Sequence, residues 1–450
     1  MPRKNPLFRR PVRDGFANFT GRLGLSQDNM LARSGYVPGA NLSRDRGQLE
    51  DMYRTSWIVG RAVNVVAEDM VRGGIDVRAQ WDVGKTDALL QELRRTGCPG
   101  RLSDAIKWAR LYGGALAVLL IDGDDMESPL DMGSIPKGGF LGLHVLDRWQ
   151  CTPSAEVIGE LGPMMGYPCH YTVNARGGLL GLRLHHSRVL RFVGLELPWN
   201  QRISEQHWGA SVVEQIHDRM LAYDSATQGT ANLLYKSFLR VIGVNGLRQI
   251  LAAGGRAEQA LVKQFEMIRQ MQSNEGITLL DKEDSFTASG YTFAGIYDAM
   301  QAFAEQIAGA TGIPLVRLLG QSPKGFSTGE SDLRIYYDTI ATLQDDDLRP
   351  AYNVLFAVLS RHLWGEALPE GFSFAFESLM QPTELERAQI ATADAQTVSA
   401  LTQGGIITAA QALAGLRDTS RITGRFANIT DADIAAVEAA AAVPALPEGA

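Results

Sequence analysis

The sequence predicts a mixed α+β protein in which a compact α/β body is followed by long helices. Between residues 46 and 200, amphipathic helical segments alternate with short apolar and β-branched runs that are typical of strands. Further along, apolar residues recur at helical spacing over 208–237, 293–312 and 329–365. The chain has 450 residues, of which 45% are hydrophobic and 21% charged, so it is long enough for two or three folded units of ordinary composition.

The body is predicted to hold three helices and a set of strands. The first helix lies within 46–74 and should end at Gly73 and Gly74, because glycine is a poor helix former. Two more helices are expected over about 84–96 and 102–112. The predicted strands lie in IDVRA at 75–79, in 113–125, which contains the apolar run ALAVLLI, and in 139–154, 170–174 and 182–194.

The rest of the chain is predicted to be mainly helical. The helix over 208–237 would be on the order of 40 Å long. In 329–365, Pro350 should kink or break the helix near residue 349, because proline lacks the N–H that a helix needs. The remaining predicted elements are a strand and turn at 238–255, a helix at 256–276, a strand and turn at 277–290, a strand at 372–378, and helices at 382–401, 408–416 and 431–442.

Charge and cysteine content exclude several classes of protein. The formal net charge of -7 disfavours a protein that wraps nucleic acid tightly through its phosphates. Cys98, Cys151 and Cys169 are far apart, so neither a zinc site nor a disulfide framework is expected. We therefore expect the protein to fold in a reducing compartment. The basic N-terminus has no apolar core after it and 115–121 is too short for a bilayer, so we expect no signal peptide and no membrane.

Two tripeptides match a pattern that enzymes use in phosphate chemistry. HYT at 170–172 and HHS at 185–187 both have the form H-x-[ST]. In two-histidine phosphodiesterases two such motifs lie on paired strands, each histidine acting as acid or base and each hydroxyl holding phosphate. The alternative is a hairpin with polar faces, since the tripeptide is common by chance.

Two further segments are weaker candidates for chemistry. VGKTD at 83–87 resembles the end of a phosphate-binding loop, but Ala79 stands where the full pattern needs glycine. A helix start with Thr86 near its cap is the alternative. QDDDLR at 344–349 offers three adjacent carboxylates, which would splay around a helix rather than converge on a metal, so a solvated acidic face is favoured. No cofactor and no metal site is expected.

A glycine-punctuated loop lies between two predicted helices at 312–332, with the sequence GIPLVRLLGQSPKGFSTGESD. It has no histidine, no cysteine and no pair of nucleophile and base. Glu330 and Asp332 are placed to favour the dipole of the next helix in its first turn, with Thr328 as the cap. The residues of the loop therefore give no indication of bond chemistry.

Several segments together resemble phage portal proteins. They occur in the order seen in that family and are HHSRVLRFVGLELP (185–198), WGASVVEQIHDRMLAYDSAT (208–227), TGIPLVRLLGQSPKGFSTGESDLRIYYDTI (311–340) and LRPAYNVLF (348–356). The resemblance covers about 46–400 and is most specific in the loop, where this chain is similar to the subgroup with the signature GIPxxRLxGxSPxGxxxTGESDxxxYYD. This chain has a shorter run before Thr328 than that signature.

The resemblance implies a subunit of a ring, typically of twelve copies, at one capsid vertex of a tailed phage. In that family a wing is followed by two stem helices with a clip between them, and then by a tunnel loop, a kinked tunnel helix and a helical crown. The implied divisions are an N-terminal arm 1–45, the α/β wing 46–207, stem helix 208–237, clip 238–292, stem helix 293–312, tunnel loop 313–328, kinked helix and return to the wing 329–380, and crown and tail 381–450.

The resemblance also implies contacts and partners. A tunnel-loop tip would consist of Gln321, Ser322, Pro323, Lys324, Gly325, Phe326 and Ser327. The stem and oligomer interface would use Val213, Ile216, Met220 and Leu234. The implied partners are further copies of the chain, double-stranded DNA in the channel, the terminase large subunit, a head–tail adaptor and the major capsid protein. The protein would be assembled in the host cytoplasm and reside in the virion.

Two functions of different classes therefore remain. The first is a ring-forming DNA conduit without enzymatic activity, which the acidic composition suits because a strongly basic channel would retain DNA. The second is a two-histidine phosphodiesterase acting on nucleotides, a counter-defence enzyme, with His170 and His185 as its acid and base.

Overall fold

The structure of the protein is a computed structural model. It describes residues 41–79, 81, 83–123, 125–174, 179–235, 238–243, 246–275, 285–290, 295–320, 329–380, 384–426 and 428–441. Most of the predicted N-terminal arm, the loop tip at 321–328 and the end of the C-terminal tail lie outside these residues. The described chain combines helices with small antiparallel sheets, so the predicted α+β fold class is confirmed.

The described residues of the body form four long α-helices, one short α-helix and seven strands. Its helices are α1 (Arg46–Thr55), α2 (Trp57–Arg72), α3 (Val83–Arg95), α4 (Cys98–Tyr112) and α5 (Trp199–Ser204). Its strands are β1 (Ile75–Arg78), β2 (Gly114–Ile121), β3 (Phe140–Asp147), β4 (Cys151–Pro153), β5 (His170–Val173), β6 (Arg183–His185) and β7 (Val189–Val193).

Strand β2 is the centre of the body. It lies between β3 and β7 in an antiparallel sheet, with Leu116 opposite Leu146 on one side and Arg191 on the other. Its odd-numbered residues, such as Ala117, pack into the main core with α2 and α4. Its even-numbered residues face a second sheet of order β4–β5–β6, where Trp208 is buried. A strand buried on both faces explains its nearly continuous apolar sequence.

In the part of the chain after residue 207 that the structure describes, there are ten more α-helices, three strands and a short π-helical segment. Its helices are α6 (Val212–Tyr235), α7 (Leu247–Ala253), α8 (Gly255–Glu275), α9 (Ile296–Thr311), α10 (Leu315–Leu319), α11 (Glu330–Leu343), α12 (Arg349–Trp364), α13 (Glu384–Gln403), α14 (Ala409–Thr423) and α15 (Asp431–Ala441). The strands are β8 (Phe238–Gly243), β9 (Ser285–Gly290) and β10 (Ser373–Phe376), and the π-helical segment is Gln344–Leu348.

The second half returns to the body through α12 and β10. Strand β10 pairs with β1, placing Phe376 opposite Ile75. Tyr352 and Phe356 of α12 pack against Phe374, joining the main core. None of the helices in the described parts of the chain combines the length and the apolar content that a membrane span requires.

Candidate functional site

Helices α6 and α9 pack against each other and extend from the main core. Val213, Ile216 and Met220 lie on the buried side of α6 and share the core with Ile307 and Ala308 of α9. The 24 residues of α6 correspond to about 36 Å of helix. The structure thus has the two helices predicted at 208–237 and 293–312, each slightly shorter than expected.

The first turn of α6 is fixed to the beginning of the described chain. Ser211 Oγ accepts a hydrogen bond from the Val213 N–H at 3.1 Å, so it acts as a cap. The Ser211 N–H donates to Ser43 Oγ at 2.8 Å, and the Ser43 N–H donates to the Glu214 carboxylate at 3.1 Å. Because Ser43 and Ser211 are buried, these bonds fix where the long helix leaves the body.

The residues predicted for an oligomer interface lie inside the subunit. Val213 and Ile216 are 0% exposed and Met220 is 2% exposed in the single chain, so they have almost no surface left for a neighbour. The side chain of Leu234 lies outside the described residues. Leu221, which is 41% exposed, offers free apolar surface on α6. A contact between subunits through this helix stays a prediction.

The segment between the two long helices forms a unit of strands and helices. β8 and β9 pair antiparallel, with Phe238 opposite Gly290 and Gly243 opposite Ser285. Two helices, α7 and α8, lie between these strands, where one was predicted. The ladder brings the end of α6 and the start of α9 together, so the segment begins and ends at the same place.

The loop is bounded by glycines in conformations that other residues adopt with strain. α9 ends at Gly312, α10 ends at Gly320 with φ 71°, and α11 begins after Gly329 with φ 72°. Because φ is positive at Gly320 and Gly329, a side chain at either position would be strained. Gly329, one residue after the predicted Thr328, is the N-cap of α11, and Thr328 itself lies outside the described residues. The predicted tip, Gln321 to Ser327, lies outside the described residues.

A single buried carboxylate in α2 contacts both flanks of the loop. Arg317 of α10 donates to Asp69 through two nitrogens, Nη2 to Oδ1 at 2.6 Å and Nε to Oδ2 at 3.0 Å. Tyr336 of α11 donates its hydroxyl to Asp69 Oδ2 at 2.9 Å. Arg72 lies on the solvent side, with Nε 3.4 Å from Oδ1. Asp69 is 0% exposed, so its charge is balanced by these groups rather than by water.

Helix α2 makes further bonds to the same region. Arg61 donates to the backbone carbonyl of Arg317 at 2.6 Å, and the Gln344 side chain donates to the Met70 carbonyl at 2.6 Å. The hydrogen bonds to Asp69 raise the pKa of Arg317 above its ordinary value. Burial, together with the charge of Asp69, raises the pKa of Tyr336. Both groups therefore keep their protons at neutral pH.

The predicted break at Pro350 is present as a change of helix type. The helix passes from α11 through the π-helical segment to α12, in whose first turn Pro350 lies. Asp345, Asp346 and Asp347 are exposed, and Asp345 pairs with Arg349 one turn further along, at 3.0 Å. Among the described residues no group of three acidic, histidine or cysteine side chains converges as a metal site requires. The three aspartates are solvent-accessible, as the alternative of a solvated face predicts, but burial, together with the charge of Asp346, raises the pKa of Asp347 to about 6.

The two H-x-[ST] motifs lie on paired strands. His170 of β5 is opposite His185 of β6, with ring centroids 5.2 Å apart. Ser187 Oγ contacts His185 Nδ1 at 2.8 Å and accepts the Leu130 N–H at 2.8 Å. Burial, with the neighbouring His186 and His170 rings, lowers the pKa of His185 to about 4. His185 is therefore neutral at pH 7, and the Ser187 hydroxyl is already engaged.

The segment that resembles a phosphate-binding loop is the first turn of α3. Lys85 pairs with Glu366 at 3.2 Å. The Thr86 hydroxyl accepts a hydrogen bond from the Trp81 indole at 2.8 Å. Both polar groups that would bind phosphate and its metal thus contact other side chains of the protein. The helix start that the alternative predicted is present at Val83, which makes Thr86 the fourth residue of the helix.

Comparison with known proteins identifies the family. The model of the family described as phage portal protein matches residues 47–400. The chain belongs to the phage portal protein family. The match spans the body, both long helices, the segment between them and the loop, and it confirms the resemblance seen in the sequence.

Individual relatives agree over most of the chain. An uncharacterized protein of Haemophilus influenzae is 28% identical over 425 residues, which are 94% of this chain and 93% of the relative. An anti-CBASS protein Acb1 of Sphingomonas paeninsulae is 32% identical over 404 residues, 88% of this chain and 63% of the relative. An anti-CBASS protein Acb1 of a Caulobacter species is 29% identical over 390 residues, which are 61% of that relative. This chain thus spans about three fifths of the two anti-CBASS proteins.

A solved structure shares the fold. The neck of a native gene transfer agent particle, computed with C12 symmetry, contains a chain that matches 88% of this one and is itself covered over 98% of its length. The TM-score is 0.50 and the sequence identity 16%, so the likeness concerns the fold. Fold and family together support a portal protein of a bacteriophage virion.

Proposed function

We propose that the chain assembles into a ring of twelve subunits at one vertex of the capsid. This ring would form the conduit through which the genome is packaged and ejected. The family match over residues 47–400 carries this proposal. The gene transfer agent neck, computed with C12 symmetry, supports the copy number. In this proposal the ring is assembled in the host cytoplasm, becomes part of the virion and has no enzymatic activity.

The elements suggest which parts do what. The body, 46–207, is the wing, and α6 and α9 are the stem helices within 208–237 and 293–312. The unit of β8, β9, α7 and α8 is the clip, which would meet the terminase large subunit during packaging and the head–tail adaptor afterwards. The helices after residue 381 are the crown, on the side of the major capsid protein and the capsid interior.

The loop is proposed to touch DNA. Its two flanks are held by the body, and its tip carries one cation, Lys324, between Arg317 and Arg334. A single exposed ion pair contributes about 0–1 kcal/mol and is screened by salt. Weak contacts of this kind suit double-stranded DNA that has to move, and the net charge of -7 suits a channel that does not retain it.

The assembly itself is the first thing to test. Native mass measurement and electron microscopy of the purified chain should give closed rings of several hundred kilodaltons, with twelvefold class averages. A chain that stays monomeric or dimeric at micromolar concentration, with and without scaffold and capsid proteins, would contradict the proposal.

A nucleotide phosphodiesterase is the second candidate, because two relatives are named anti-CBASS protein Acb1. More than a third of each of those proteins lies beyond the match, so the name does not carry their activity to this chain. The geometry also disfavours it. A histidine with a pKa of about 4 is a poor general acid at pH 7, and the Ser187 hydroxyl is bonded to His185 and Leu130.

A further inference from the structure

The Asp69 carboxylate joins three segments that are distant in sequence. Arg317 precedes Gly320 by three residues, and Tyr336 follows Gly329 by seven. The two flanks of the loop therefore meet on the same side chain of α2, at 2.6 and 2.9 Å. In the described part of the chain, both helices next to the loop are bonded to this one residue.

We infer that Asp69 is the positioning residue of the loop: it fixes both flanks of the loop to α2. The paired contact from Arg317 restrains direction as well as distance, because a planar guanidinium and a carboxylate fit in one plane. The Tyr336 bond, made from a residue that is 3% exposed, adds the second flank.

The body can hold the loop in place because α2 is packed firmly into its core. Its neighbours Val66 and Met70 are 4% and 1% exposed in the main core. Water cannot compete for the Asp69 carboxylate, which is fully buried. If the chain is a portal, and the next step rests on that proposal, a shift of the wing against the capsid would reach the loop and its contact with DNA through this carboxylate.

Neighbouring tyrosines provide a matched pair of variants. Tyr336→Phe removes the hydroxyl bonded to Asp69 and keeps the ring. Tyr337→Phe removes a hydroxyl that accepts from Arg72 at 3.4 Å and does not contact Asp69. Arg317→Lys is the independent second variant, because it keeps the positive charge and loses the paired contact.

Limited trypsin digestion reports how firmly the loop is held, because cleavage requires a segment that can enter the protease active site. Lys324 is a cleavage site within the loop, and Lys107 in α4 is a site in the body that serves as an internal reference. We expect Tyr336→Phe and Arg317→Lys to raise the rate of cleavage after Lys324 at least tenfold while cleavage after Lys107 stays within twofold. We expect Tyr337→Phe to match the wild-type protein at both sites.

Two outcomes would overturn the inference. One is equal cleavage after Lys324 in Tyr336→Phe and Tyr337→Phe, together with no change in Arg317→Lys. The other is parallel acceleration at Lys324 and Lys107, which would mean that the bonds stabilise the whole body rather than the loop. Because ring formation is measured separately by microscopy, a wild-type protein that forms no rings contradicts the portal proposal and leaves the digestion result valid.

Discussion

Ile216 gives the sharpest test of how the long helices are held. It lies in α6, is 0% exposed and shares the main core with Ile307 of α9. Ile216→Ala removes three carbon atoms from a closely packed site, and truncations of this kind cost about 2–5 kcal/mol. We expect a loss of stability near the upper limit of this range if the helices cannot move together to fill the cavity. The lost packing contacts then add to the lost transfer free energy.

The assay is chemical denaturation followed by circular dichroism, with Leu221→Ala as the control. Leu221 lies on the same helix but is 41% exposed, so its truncation should change the free energy of unfolding by no more than about 0.5 kcal/mol. Microscopy of both variants would then show which helix face the subunits share. Equal stabilities for Ile216→Ala and Leu221→Ala would refute the packing described for α6.

Three further predictions concern single side chains. His185 should titrate in NMR spectra with a midpoint near pH 4, and purified protein should hydrolyse no cyclic or linear oligonucleotide; turnover that His170→Ala abolishes would contradict this. The hydrogen bond from Arg95 lowers the pKa of Glu92, so the stabilisation by this pair is present at neutral pH and is lost as the pH falls below about 4. In acid-unfolding curves, Glu92→Gln should remove this loss of stability. Lys324→Glu should impair genome retention more than Lys324→Ala; equal retention would exclude an electrostatic role.

Helices were predictable from the sequence where an apolar stripe is long and its ends carry signals. The helix over 208–237 is found at Val212–Tyr235, and the break near residue 349 is found beside Pro350. Helix α4 begins at Cys98 rather than 102, since Pro99 suits a first turn and the prediction overlooked it. The helix predicted at 408–416 continues to Thr423, because Gly415 is tolerated inside it and Gly424, with φ 68°, ends it.

Local sequence did not predict how these elements are used. A proline predicts that a helix changes near residue 349, but it does not predict the π-helical form of Gln344–Leu348 or the hydrogen bond from the Gln344 side chain to the carbonyl of Met70. From the sequence, Val213 and Ile216 are predicted to be apolar residues of an interface between subunits. An apolar side chain does not reveal whether its cover is the same chain or a neighbour, and here the main core of the same chain, to which α2, α4 and α9 contribute, supplies it.

Asp69 shows where sequence reasoning could have gone one step further. It lies on the side of α2 that carries Val66 and Met70, and a carboxylate buried among such residues is costly unless cations and donors surround it. The pattern alone therefore predicts that Asp69 has a partner. It does not name the partner, because Arg317 and Tyr336 lie 248 and 267 residues away and are brought to α2 only by the fold. Since both of them flank the loop, the residue that looks most misplaced in the helix is the one that ties the loop to the body.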